Sequence, residues 1–156
     1  MKRAYIHKKV GIVIFISLVA TFISLPASHA EYLNPAVPGE GTAAYWMDKG
    51  GLYSTYGNFP AAIRAYEASL ALEPNNSEAY FDMGIAYSEM GDYQNALEYI
   101  AKAITLASEN GRYYYGRAWT MILSGRSSEA EADMVKAANL GDRDAQRYLQ
   151  RDGTGQ

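Results

Sequence analysis

Few side chains in this sequence can do covalent chemistry. The two histidines, His7 and His29, both fall within the first thirty residues, and there is no cysteine. An imidazole base or a thiol nucleophile would have to come from that end of the chain. Zinc sites draw on Cys and His, so they are not expected either. The densest carboxylate group is Glu129, Glu131 and Asp133. On a helix Glu129 and Asp133 stand four residues apart on one side, which reads as a wet acidic face; an oxygen-ligand cation site is the other chemistry open to them. Gly153 and Gly155 follow no strand and make no phosphate loop. With no acid–base pair in view, the expectation is a protein that is not an enzyme and needs no cofactor and no metal.

The first thirty residues have their own character. Lys2, Arg3, Lys8 and Lys9 form a positive front, Val10 to Leu25 is largely apolar, and Pro26 and Ser28-His29-Ala30 close the segment. That order is the order of a signal peptide. The apolar run of 16 residues is shorter than the roughly 20 a spanning helix needs, and an uncleaved anchor is the rival reading. Cleavage after Ala30 removes both histidines and four cations but no acid, which takes the formal net charge from −3 to −7. An acidic domain lacks the clustered Lys and Arg that phosphate contacts require, so nucleic acid is not an expected partner. The expectation is an exported chain in the bacterial periplasm, meeting the membrane only in transit. Residues 31–42, with Pro35, Pro38, Gly39 and Gly41, read as a linker, and 152–156 as a frayed tail.

The remainder follows a ruler of 34 residues. Trp46, Tyr80, Tyr114 and Tyr148 fall on it, as do Gly50, Gly84 and Ala118, and Gly57, Gly91 and Gly125. Ala62, Ala96 and Ala130 recur, and so do Tyr66, Ile100 and Met134. A fixed period of this size marks stacked helical hairpins. The spacing predicts helices over 43–56 and 60–72, 77–90 and 94–106, 111–124 and 127–139. Gly57, Gly91 and Gly125 stop the first helix of each pair, and Asn58 and Asp92 cap the second. A last amphipathic helix over 143–151, with Ala145, Tyr148 and Leu149 on one side, closes the stack.

These positions resemble the tetratricopeptide repeat (TPR) family, whose unit reads W-x2-L-G-x2-Y followed by Ala, an aromatic, Ala and Pro. Repeat one supplies Trp46, Gly50, Tyr53, Ala62, Tyr66 and Pro74; repeat two supplies Tyr80, Gly84, Tyr87 and Ala96. Lys49 and Arg117 depart from the pattern, standing where the family has an aliphatic residue, and Ser108 and Asp142 replace the closing proline. The resemblance implies an all-α helical-hairpin solenoid: three repeats over about 43–76, 77–110 and 111–144, plus a C-terminal capping helix.

The resemblance also implies a site. In TPR proteins the first helices of successive pairs line a concave groove, and the matching positions here include Met47, Phe81, Ile85, Arg112, Tyr115, Trp119 and Ile122. Phe81, Tyr115 and Trp119 are expected as large apolar groups facing solvent. Trp119, Ile122 and Leu123 either look into the groove or are packed by the linker or last helix. Some TPR domains clamp the acidic tails of chaperones with Lys, Asn and Arg. The corresponding Met47, Gly51, Asp82, Arg112 and Gly116 hold one cation and one opposing acid, so a chaperone tail is not the expected ligand. The function expected is binding of a protein or peptide segment, apolar or amphipathic, in the groove. The alternative is a structural subunit of a cell-envelope complex that assembles on copies of itself.

Overall fold

The computed structural model describes residues 39–153. The leader expected over 1–30, and the linker as far as residue 38, lie outside the described residues. Residues 39–42, expected to end that linker, form the turn that starts the first helix: the Thr42 hydroxyl donates to the Gly39 carbonyl at 2.7 Å and accepts from the Tyr45 N–H at 3.1 Å.

The described chain forms α1 (Ala43–Thr55), α2 (Phe59–Leu72), α3 (Ser77–Glu89), α4 (Tyr93–Leu106), α5 (Gly111–Leu123), α6 (Ser127–Asn139) and α7 (Arg143–Gly153). All the helix starts but one have a side-chain cap. Asn58, Asn76, Asp92 and Asn110 accept from backbone N–H groups of the first turns of α2 to α5, and Asp142 does so for α7. The stops are equally local. Gly57, Gly91, Gly125 and Gly141 have φ between 71° and 89°, a region closed to most side chains. The N–H one residue beyond reaches back into the last turn, as from Asn58 to the Tyr53 carbonyl at 2.9 Å. α7 runs to Gly153, two residues into the expected tail.

One cap is missing. The ruler that carries Asn58 and Asp92 arrives at Arg126, which gives α6 no side-chain cap and pairs instead with exposed Glu129 at 2.6 Å. An N-cap residue of the Asn type is worth about 1 kcal/mol over a non-capping one, whereas an exposed ion pair is screened by water and salt and contributes little. Arg126→Asn should therefore raise the thermal midpoint by a few degrees, and a lower midpoint would show that the ion pair outweighs the cap.

Packing follows the same ruler. Ala62, Ala96 and Ala130 are buried on the second helices, where bulk would hold the hairpins apart; so are Tyr66, Ile100 and Met134, one turn on. Each large side chain so buried contributes about 1.5–3 kcal/mol. Tyr80 is buried, while Trp46 is half-exposed. Ser69 stands where the later repeats have alanine, and its buried hydroxyl donates to the Ala43 carbonyl at 3.0 Å, satisfying a group inside the first hairpin. Ala145, Tyr148 and Leu149 of α7 pack on Ala118, Ala130 and Met134, closing the stack as its pattern predicted.

The wet acidic face expected at Glu129, Glu131 and Asp133 needs correction. Asp133 is buried and accepts from two nitrogens of Arg117 on α5, Nε at 2.6 Å and Nη2 at 2.8 Å. Lys49, the other departure from the aliphatic pattern, forms no ion pair among the described residues. Its ammonium bonds the Tyr45 hydroxyl at 3.3 Å and lies 5.0 Å from the centre of the Trp46 ring.

Candidate functional site

Each helix packs on its successor, and the first helices also touch each other, α1 with α3 and α3 with α5. That extra contact puts α1, α3 and α5 on the inner side of the stack and the second helices outside. The inner side carries two hollows.

The first, of about 490 Å³, lies between α1 and α3. Met47 and Gly51 contribute to it, but its polar character comes from Asp48, Glu73, Glu78 and Asp82. The second, of about 390 Å³, lies between α3 and α5 and holds Phe81, Ile85, Arg112, Tyr115 and Trp119. Tyr115 and Trp119, one helical turn apart, stack with ring centres 6.4 Å apart and planes 20° apart. Trp119 keeps 42% of its surface exposed.

Arg112 stands where the two hollows meet. One terminal nitrogen reaches Asp82 at 3.0 Å, the other lies 3.6 Å from Glu78, and the guanidinium sits 4.5 Å over the Phe81 ring. Burial pushes the Asp82 carboxyl above the usual carboxylate range, and Arg112 pulls it part of the way back. Burial likewise raises the Tyr115 hydroxyl, with Asp144 and Asp142 adding to it.

Five of the seven residues expected in the groove thus share one hollow, and Met47 lines the adjoining one. Two differ from expectation. Phe81 is 3% exposed: Tyr113 of the next repeat stacks on it at 4.7 Å and Arg112 covers it, so it forms the floor of the groove. Gly116 permits this, because a Cβ there would lie 2.6 Å from the Phe81 ring. Ile122 lies outside the groove. It sits with Met134, Tyr148 and Leu149 under α7, so the last helix packs this residue and leaves Trp119 open. The acids of the first hollow were missed as a group. Their signal is positional: Asp48 and Asp82 fall on one ruler position of successive first helices.

A wider hollow of about 790 Å³ on the loop side is walled by turn residues 106–112 and 140–142 and has no aromatic wall. Among the described residues there is no histidine or cysteine, and no three metal-ligating side chains stand close enough to hold an ion. No described helix is long and apolar enough to cross a membrane.

Two tetratricopeptide repeat models match the sequence, over residues 43–76 and 65–98. With six of the seven described helices paired on a 34-residue ruler, that decides the architecture. The fold is a TPR solenoid. Solved structures superpose on it, among them two TPR domains. The first TPR of Spaghetti (RPAP3), bound to HSP90 peptide SRMEEVD, is 20% identical with a TM-score of 0.66, over 72% of this chain and 93% of that one. The TPR2B domain of yeast Sti1, in its pHsp70 complex, is 21% identical with a TM-score of 0.61, over 63% and 78%. The MamA protein is 28% identical with a TM-score of 0.57, over 64% of this chain; the chain spans 54% of the length of that structure. No curated protein matches the chain by sequence.

Proposed function

We propose that this TPR solenoid is an exported interaction module that holds a short segment of a partner protein in its concave groove. The observation that carries the reading is the exposed Tyr115–Trp119 stack above the Phe81 floor. Large aromatics in a concave surface are the usual anchors of protein contacts. The Spaghetti TPR holds a peptide on the same fold. Export rests on the leader-like sequence of residues 1–30.

The peptide in that structure is acidic, with two glutamates and a terminal aspartate. The groove here is not built for such a ligand: Arg112, the cation in its two hollows, is already paired with Asp82 and Glu78.

Crosslinking in intact cells, followed by mass spectrometry, tests the proposal. Wild-type protein should carry a defined adduct, and Trp119→Ala should lose it with helix content unchanged. Removing an aromatic anchor costs about 2 kcal/mol or more, roughly a thirtyfold loss of affinity. The same spectra report the N-terminus, expected at Glu31. An adduct retained in Trp119→Ala would remove the groove from the account. Crosslinks joining copies of the chain would favour the self-assembling alternative.

A further inference from the structure

We infer that the segment taken by this groove is cationic and amphipathic, with Lys or Arg side chains placed beside apolar ones. This rests on the groove being a binding site, as proposed above, and adds the chemistry of what it takes.

Two independent features point to that class. The first is the aromatic wall. Tyr115 and Trp119 offer stacked ring faces to solvent, with Phe81 and Ile85 behind them. Such a wall accepts apolar side chains, and its ring faces also attract a cation.

The second is the sign of everything around it. The first hollow has four carboxylates in its lining and the second has three, against one cation, Arg112. Arg112 is bound to Asp82 and Glu78, so it offers no free charge to an anion. Asp48 and Glu89 are exposed and make no ion pair with any described residue. Asp144 at the far wall is paired with Arg147. A ligand lying along α3 therefore meets unneutralised acid at both ends, Asp48 near α1 and Glu89 near the end of α3, and rings between them. An acidic segment would be repelled along this path. A neutral apolar one would leave the acids without partners. Only a segment carrying both cations and apolar groups complements the whole groove.

The test uses the purified full chain and three labelled synthetic peptides, each about twelve residues long, enough to hold helical anchors at i, i+3, i+4 and i+7. All three share the same Leu and Phe positions; the remaining positions are all Lys, all Gln or all Glu. Fluorescence anisotropy reads the affinity. The Lys peptide should bind about tenfold tighter than the Gln peptide at low salt and lose that advantage near 0.5 M salt. The Glu peptide should not bind. Asp48→Asn, Glu78→Gln and Glu89→Gln together should bring the Lys peptide to the Gln level. Glu67→Gln, Glu98→Gln and Glu131→Gln remove the same charge from exposed positions of the outer helices and should change nothing.

If the outer triple variant weakens binding as much as the inner one, the attraction belongs to the whole acidic protein and the inference falls. Equal binding of the three peptides, lost in Trp119→Ala, would sink the cationic class and leave the groove standing. Binding of the Lys peptide that is untouched by Trp119→Ala would sink both.

Discussion

Asp133→Ala is expected to destabilise the protein by about 3 kcal/mol, the lower end of what breaking a buried ion pair costs. The lower end applies because the Arg117 side chain keeps 25% exposure against 12% for Asp133. Nε and one terminal nitrogen of Arg117 donate to the two oxygens of Asp133 across the third hairpin, a bidentate geometry that holds the guanidinium above its usual pKa. Without the carboxylate, the cation is left against Tyr114, whose ring centre is 5.7 Å away, beside an apolar layer of Ala118, Ala130 and Met134. The ruler shows what the pair replaced: one repeat earlier the same two positions hold Met83 and Tyr99, and before that Lys49 and Ala65. Arg117→Met alone should also destabilise, because it strands the acid. The double variant Arg117→Met, Asp133→Ala should recover most of that loss, since neither charge is then left buried without its partner. Urea titration measures this, with a midpoint shift of about 2 M expected for Asp133→Ala at a slope on the order of 1.5 kcal/mol/M. Additive single effects in the double variant would mean that the two side chains act separately. Hydrogen exchange should show protection lost first in α5, α6 and α7, because a stack of repeats is held by neighbour contacts.

The helices were legible in the sequence because their signals are local. A glycine that must take positive φ, an Asn or Asp one residue beyond it, and small residues recurring every 34 positions fix six of the seven helices to within about two residues. The Arg117–Asp133 pair was not legible in the same way. Its partners are 16 residues apart on different helices, and a local period cannot say that two departures compensate each other. The signal that exists is joint: in repeat three, two ruler positions turn polar together, with opposite signs.

The groove was half legible for a related reason. Counting positions within a repeat finds the inner face of each first helix but not what the next element lays over it. Phe81 and Tyr115 share a ruler position. Phe81 is followed by Tyr113 and Gly116 of α5, which stack on it and give it room, so it is buried. The residues that follow Tyr115 on the same ruler are Arg147 and Gln150 of α7, and Tyr115 stays half-exposed beside Trp119. The end of the stack, where apolar repeat gives way to polar cap, is thus what leaves an aromatic surface free.

Gly84→Leu should destabilise by about 3 kcal/mol, because the crowding is against backbone as well as side chain. A Cβ at Gly84 would stand 2.7 Å from Cγ1 of Ile100, 3.0 Å from the Ala96 carbonyl oxygen and 3.2 Å from the Ile100 nitrogen. No rotamer relieves the last two contacts, so α3 and α4 must move apart. Gly84→Ala is the sharper experiment. In a helix that is free to accept it, Gly→Ala gains about 0.5–1 kcal/mol. Gly51 is such a place, with nothing within 4 Å of its added Cβ, and Gly51→Ala should stabilise. Gly84→Ala should have the opposite sign. The third repeat shows how an alanine is accommodated: Ala118 is fully buried there opposite Met134, whereas Gly84 faces Ile100. Methionine has no branch at Cβ and bends to fill an irregular space. Ile100→Met in the Gly84→Ala background should therefore return part of the lost stability. Thermal melts of the four proteins decide between the side-chain contact and the two backbone contacts. Rescue by methionine assigns the crowding to the Ile100 side chain. Failure of rescue assigns it to the backbone, the Ala96 carbonyl and the Ile100 nitrogen, and an unchanged midpoint in Gly84→Leu would mean that this seam is not closely packed at all.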